Sequence, residues 1–164
     1  MIVIADTSPL NYLILIGAVD VLQPLYGRVI VPRAVVLELA GAGAPAAVRT
    51  WIAEPPTWLE VRPDPPPDPA LEFLDRGESA ALTLAQLLDA DELLIDDQVG
   101  RTEAERRHLR VTGTLGVLAG AHLAGLLDFD RALVLLHSTN FRLHPDVEWL
   151  VRRRLSAQKK EPLL

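Results

Sequence analysis

Short aliphatic runs alternate along the chain with longer segments in which apolar positions recur every three or four residues. Ile2 to Ala5, Val29 to Val31, Leu93 to Ile95 and Arg110 to Thr112 are rich in aliphatic or β-branched side chains, which predicts buried strands of a parallel sheet. Helical spacing covers Pro9 to Ile16, Arg33 to Ala40, Ala46 to Ala53, Leu71 to Asp75, Ser79 to Leu88, Gly100 to Leu109 and Leu115 to Leu123. Asp128 is placed to cap a helix over Ala132 to His137, and Pro145 to open another that runs through Glu148, Trp149 and Arg152. This alternation predicts an α/β sandwich, with Trp58 to Val61 as an added edge strand.

Seven of the thirteen prolines fall between Pro55 and Pro69, and the run from Pro63 to Pro69 neither folds as a helix nor pairs as a central strand. It reads as a stiff surface loop, 55–69, inside one domain spanning residues 1–157. A boundary there would leave a first half with too few strands. Residues 158–164 are expected to be a frayed tail.

Composition narrows the chemistry. The chain has 164 residues, 49% of them hydrophobic, enough to bury a real core. Sixteen basic against 22 acidic residues leave a net charge of −6, so any polyanion must be bound locally rather than by bulk positive charge. The absence of cysteine removes disulfides, thiolate metal sites and cysteine nucleophiles and suggests a reducing compartment. Lys159 and Lys160 are the only lysines, so neither a Schiff-base lysine nor a phosphate-loop lysine is expected. Apolar runs stop well short of the ~20 residues that span a bilayer, and the chain is expected to be cytoplasmic, without a membrane partner.

The positions of the carboxylates carry more than their number. Asp6 follows the first strand directly, and in open parallel sheets ligands bind at the carboxyl ends of strands. It is equally placed to cap the helix that begins near Pro9. Glu38 stands alone in an otherwise apolar helix, at the edge of its buried stripe or in solvent. Glu78 heads the apolar stripe Ala81, Leu82, Ala85 and Leu88, where it either favours the helix N-terminus or points into a site. Asp96 and Asp97 end another strand, and alternation lets one face the crevice of Asp6 while the other turns aside. Such a cluster repels itself unless a cation neutralises it or some acids stay protonated. Hard divalent ions take oxygen ligands, activate water and stabilise phosphoryl charge, so the constellation suits a metal-dependent phosphodiesterase.

These residues resemble the PIN-domain nucleases, in particular the VapC-like ribonuclease toxins of toxin–antitoxin pairs. The matching pieces are Ile4 to Leu10, Val31-Pro32 leading to Glu38-Leu39, Gly77 to Leu82, Leu94 to Asp97 followed by Gly100-Arg101, and Val111 to Leu118. They cover most of residues 1–127 in order. The resemblance implies a three-layer α/β/α sandwich with a central parallel sheet, Mg²⁺ or Mn²⁺ at the acids, and hydrolysis of RNA. By motif, Asp6, Glu38, Glu78 and Asp97 match the acidic quartet, with Asp96 as a further metal ligand. Glu78 stands where many members carry Asp. Thr7, Ser8 and Thr112 are expected to orient carboxylates or phosphate through their hydroxyls.

Arg101, Arg106, Arg107 and Arg110 lie just after the acidic strand end and are candidates for RNA phosphate contacts, or form a solvated face balanced by Glu103 and Glu105. His108, His122, His137 and His144 have neither zinc-protease nor triad spacing and are assigned to structure or surface. The leading expectation is a metal-dependent endoribonuclease held by a cognate antitoxin. A structure-specific DNA nuclease and a non-catalytic binding module of the same fold are the alternatives. Apolar segments near Leu13, Leu22, Leu123 and Leu127 suggest a homodimer.

Overall fold

Five parallel strands form one sheet in the order β3-β2-β1-β4-β5: β1 (Val3–Ala5), β2 (Val29–Pro32), β3 (Leu59–Arg62), β4 (Glu92–Leu94) and β5 (Val111–Thr112). This is a computed structural model, and it describes residues 1–159. Register pairs Ile4 with both Ile30 and Leu93, and Leu94 with Thr112. The chain winds outward from β1 through β2 to β3, then returns to the other side of β1 for β4 and β5. The reversal falls beside β1, so a crevice opens at the carboxyl ends of β1 and β4, the usual location of a ligand in such sheets.

Helices cover both faces: α1 (Thr7–Leu15), α2 (Leu22–Tyr26), α3 (Arg33–Ala40), α4 (Ala46–Ala53), α5 (Arg76–Leu87), α6 (Gln98–Arg106), α7 (Thr114–Leu123), α8 (Phe129–His137) and α9 (Pro145–Gln158). The period of two along each strand divides the core between them. Val3, Ala5, Val29, Val31 and Leu94 pack on one face with Leu10 and Leu13 of α1, Val35 of α3, Val48 of α4, Leu118 of α7 and Leu133 of α8. Ile4, Ile30, Leu93 and Ile95 pack on the other with Ala81, Leu82 and Ala85 of α5 and Ala104 of α6. Each fully buried aliphatic side chain contributes about 1.5–3 kcal/mol over its exposed state. The result is the expected three-layer α/β/α sandwich.

The edge strand at Leu59 forms as expected, and the proline-rich segment around it acts as a brace. The Ala34 N–H at the start of α3 donates to Asp64 Oδ1 at 2.7 Å. The helix expected over Leu71 to Asp75 is absent. A single 3-10 turn, Pro69–Leu71, takes its place, begun by Asp68, whose Oδ1 accepts from the Ala70 N–H at 2.9 Å. Asp75 then caps α5, which starts at Arg76 rather than Ser79. Helix α2 was not foreseen because its five residues are too few for periodicity and include Pro24. The expected surface apolar segments are also divided: Leu13 and Leu22 are fully buried in the core, whereas Leu123 is exposed. Two of the four residues that suggested a homodimer are thus already used internally. Gln158 closes α9 and Lys159 is its C-cap residue; of the tail expected to fray, residues 160–164 lie outside the described residues. No helix among the described residues is long and apolar enough to cross a membrane.

Candidate metal centre and active site

Asp6 occupies the N-cap position of α1, yet its side chain makes no capping hydrogen bond. It is 3% exposed, and its Oδ1 is buried with no hydrogen-bond partner. An unanswered buried carboxylate oxygen is costly, so the capping role offered by the sequence does not explain it. Its backbone is held by the sheet, since the Asp6 N–H donates to Leu94 O at 2.9 Å. Burial first, then the charges of Asp75, Glu78 and Glu38, push its pKa well above the usual carboxylate value, against the Thr7 backbone N–H that lowers it.

Glu38 reaches the same point from α3. Its Oε2 accepts from the Thr7 hydroxyl, and its Oε1 accepts from the Gly77 N–H at 2.9 Å. Gly77 is required by this contact, because a Cβ there would lie 2.7 Å from the Glu38 carboxyl carbon. The third acid, Asp75, was missed in the sequence. One carboxylate oxygen each from Asp6, Glu38 and Asp75 lie within 4.8 Å of one another. Asp75 also caps α5, with Oδ1 accepting from the Glu78 N–H at 2.8 Å. The Asp-x-x-Glu spacing of a helix start was the available signal for it, and Gly77 follows from the same turn.

Glu78 and Asp97 stand beside this triad rather than in it. Glu78 is half-buried in the first turn of α5, and its pKa is pushed up to about 7 by desolvation first, then by the charges of Asp75 and Asp97. Asp97 is exposed and caps α6, its Oδ2 accepting from the N–H groups of Val99 at 2.9 Å and Gly100 at 3.1 Å. Asp96 is the member of the pair that turns aside. Its Oδ1 accepts from the Thr114 N–H at 2.7 Å, and its Oδ2 from the hydroxyls of Thr114 at 2.7 Å and Ser8 at 2.8 Å. With three donors on it, Asp96 ties β4 to the starts of α1 and α7.

The hydroxyl residues follow the same division. Thr7 and Ser8 donate to the carboxylates of Glu38 and Asp96. Thr112 also donates to a carboxylate, that of Glu92 on the neighbouring strand, whereas the fully buried Thr114 reaches Asp96. Two threonines separated only by Gly113 differ in this way because β5 ends at Thr112 and α7 begins at Thr114.

Of the four arginines, only Arg101 lies at the crevice end of α6. Its Nη1 donates to Ile95 O at 3.4 Å and would meet a Cβ on Gly113 at 2.7 Å, next to Asp96. Arg106 and Arg107 lie in the last turn of α6 and at its end, about 13 Å along the axis from Asp97. Both bind Glu103, and Arg107 also donates to Asp68 and Gln86, each at 2.8 Å. Arg110 precedes β5, and its carbonyl accepts from the Leu93 N–H at the start of that pairing, at the amino ends of the strands rather than the carboxyl ends where the acids lie. The structure therefore separates Arg106, Arg107 and Arg110 from the acids. Of the histidines, His122 and His144 accept backbone N–H groups of Phe129 and Asp146, each at 3.2 Å, which is structural use.

The donor set fits a hard divalent ion. Three carboxylates converge with no arginine or lysine paired to them among the described residues, and one of their oxygens is buried and unanswered. Two ionised carboxylates at ~5 Å repel by about 3 kcal/mol at an effective dielectric of ~20, more than an exposed ion pair returns. A bound cation removes that cost.

A family model described as a PIN domain matches residues 2–157. Among solved structures, a PilT N-terminus domain protein from the hyperthermophilic archaeon Sulfolobus solfataricus P2 aligns with a TM-score of 0.49 at 15% identity, over 88% of this chain and 100% of that one. No curated protein matches the sequence.

Proposed function

Because the chain belongs to the PIN-domain family, whose members are typically nucleases, we propose that it is a divalent-metal-dependent endoribonuclease and the toxin of a toxin–antitoxin pair. The observation that carries the metal-dependent part is the convergence of one carboxylate oxygen each from Asp6, Glu38 and Asp75, in a cluster where Asp6 Oδ1 is buried and unpartnered. Asp6, Glu38 and Asp75 would hold Mg²⁺ or Mn²⁺, with Glu78 and Asp97 beside them. A bound ion supplies a water of lowered pKa and stabilises charge on the phosphoryl oxygens.

The chain's own residues prepare that site. Thr7 and Gly77 fix the two oxygens of Glu38, so the ligand is held before any ion arrives. Asp96 locks α1 and α7 onto β4 and keeps the crevice walls in register. Glu78, half-buried in the first turn of α5 beside the triad, is placed to pass a proton at the rim. Arg101 is the cation placed to meet a phosphate. RNA as substrate and control by an antitoxin that covers the crevice rest on the resemblance to VapC-like toxins.

Labelled single-stranded RNA, single-stranded DNA and a flap substrate, each with Mg²⁺, with Mn²⁺ and with excess EDTA, test this reading. Cleavage of RNA that stops in EDTA supports it. Cleavage confined to DNA shifts the assignment to a DNA nuclease, and cleavage that persists in EDTA overturns the metal mechanism.

A further inference from the structure

Two aromatic side chains among the described residues are largely exposed, Phe73 at 59% and Trp149 at 57%. Trp149 carries the guanidinium of Arg153 over its ring at 5.2 Å. Phe73 belongs to neither core cluster and stacks on no other ring. It faces α6 across a pocket of about 260 Å³ lined by Phe73, Gln98, Val99, Thr102 and Glu103. Val99 in that pocket is itself 54% exposed.

The pocket is placed by the acids. Phe73 precedes Asp75 by two residues and Val99 follows Asp97 by two, and two residues of chain span at most about 7 Å. Two of its walls therefore stand within about 7 Å of chain from crevice acids, Phe73 from Asp75 and Val99 from Asp97. Its chemistry is apolar with a polar edge. An aromatic face and an isopropyl group stand beside the Gln98 amide, which donates to the Thr102 hydroxyl at 3.2 Å. Glu103, the one acid in its wall, is answered by Arg106 and Arg107 and does not oppose a polyanion.

We propose that Phe73 and Val99 form a stacking subsite for one base of a single-stranded nucleic acid whose backbone passes the acidic crevice. This rests on the nuclease reading above. A ring face accepts any base, so the subsite sets where a strand lies, while Gln98 offers an amide to the base edge. Backbone phosphate and base are thereby held by different parts of the same rim, the acids with their ion and the aromatic pocket.

Steady-state cleavage by the full chain tests it, using one oligonucleotide and a series in which each nucleotide in turn is abasic. Stacking on an aromatic side chain is worth about 1–3 kcal/mol per base, which converts to about 5- to 150-fold. Phe73→Ala should lower kcat/KM by that factor, chiefly through KM, at an unchanged melting temperature, and Phe73→Trp should restore it. One abasic position should lower the parent's kcat/KM similarly and cancel the further effect of Phe73→Ala. The proposal is overturned if Phe73→Ala stays within about twofold of the parent, or if its penalty persists on every abasic substrate. It is equally overturned if light scattering shows that Phe73→Ala dissociates a dimer at assay concentration, which would give the patch to a second copy. A parent that cleaves no nucleic acid overturns the nuclease reading as well, whereas cleavage indifferent to Phe73 overturns the subsite alone.

Discussion

Two groups of carboxylates in this molecule, built from the same residue types, are treated in opposite ways. Glu103 and Asp68 are met by arginines: Glu103 binds Arg106 and Arg107, which hold its pKa down to about 2, and Arg107 holds that of Asp68 below the usual value. Asp6 and Glu78 face other acids and sit above their ordinary values. Arginines are available, as Arg101, Arg106 and Arg107 follow Asp97 within ten residues. Arg106 and Arg107 are spent on the outer end of α6, and Arg101, at the crevice end, bonds the Ile95 carbonyl. Glu103 and Asp68 are answered by arginines inside the fold, whereas Asp6, Glu38 and Asp75 converge in an arrangement that could bind a metal ion.

The contrast breaks most sharply at Asp6. Asp6→Asn should lower RNA cleavage by at least ~10³-fold, because several kcal/mol of charge stabilisation is lost and each ~1.4 kcal/mol is tenfold. In EDTA the same variant should melt no lower than the parent, since a buried charge among like charges has been removed. Comparable turnover in parent and variant would place the chemistry elsewhere.

Asp75→Asn is the finer probe of the triad. Asparagine caps a helix about as well as aspartate, so α5 should persist while one negative ligand is lost. Isothermal titration should then show Mn²⁺ affinity lowered by about tenfold or more. Unaltered affinity would reduce Asp75 to its capping role.

The two groups also predict opposite responses to pH. Glu78 binds its proton more tightly folded than unfolded, so its contribution to stability falls as pH rises from 4.5 to about 7, and Asp6 acts in the same direction. Glu103 is the reverse: its contribution is present above 4.5 and is lost as pH falls toward about 2. Melting temperature measured in EDTA should therefore decline across the upper window, and saturating Mg²⁺ should remove that decline. A decline that is the same with and without the ion would mean that the crevice acids are not neutralised by it.

The smallest effect is expected from the paired group. Arg107→Ala removes contacts to Asp68, Glu103 and Gln86, while Arg106 still answers Glu103, so the melting temperature should fall by about 2–4 °C, as for a loss of ~1 kcal/mol in a domain of this size. Cleavage should be unchanged. A loss of turnover matching that of Asp6→Asn would join the two groups functionally.

Much of this arrangement was readable from residue pattern, and the remainder failed for identifiable reasons. Strands at Val3, Val29 and Leu93 declare themselves because a parallel sheet buried on both faces demands continuous aliphatic runs. Asp6 and the pair Asp96-Asp97 follow from strand ends, and Glu38 from its isolation in an apolar helix. Asp75 was hidden because the segment from Leu71 looked helical, and a cap is only recognised once the helix start is placed correctly. Thr112 and Thr114 are the same residue type two positions apart, and only the point where β5 gives way to α7 decides which hydroxyl reaches Asp96. The arginine cluster left two readings open, and Arg106 and Arg107 take the one in which Glu103 balances them. Residues within ten positions of one another are local in sequence, but a helix carries its two ends to opposite ends of the strands.

The most direct test of a crevice that depends on an external cation is an electron paramagnetic resonance titration of Mn²⁺ into the parent protein and into Asp6→Asn. Loss of the free Mn²⁺ signal on adding the parent, with little loss on adding the variant, is the predicted result. A parent that leaves the free signal intact, or a variant that depletes it equally, would contradict the account.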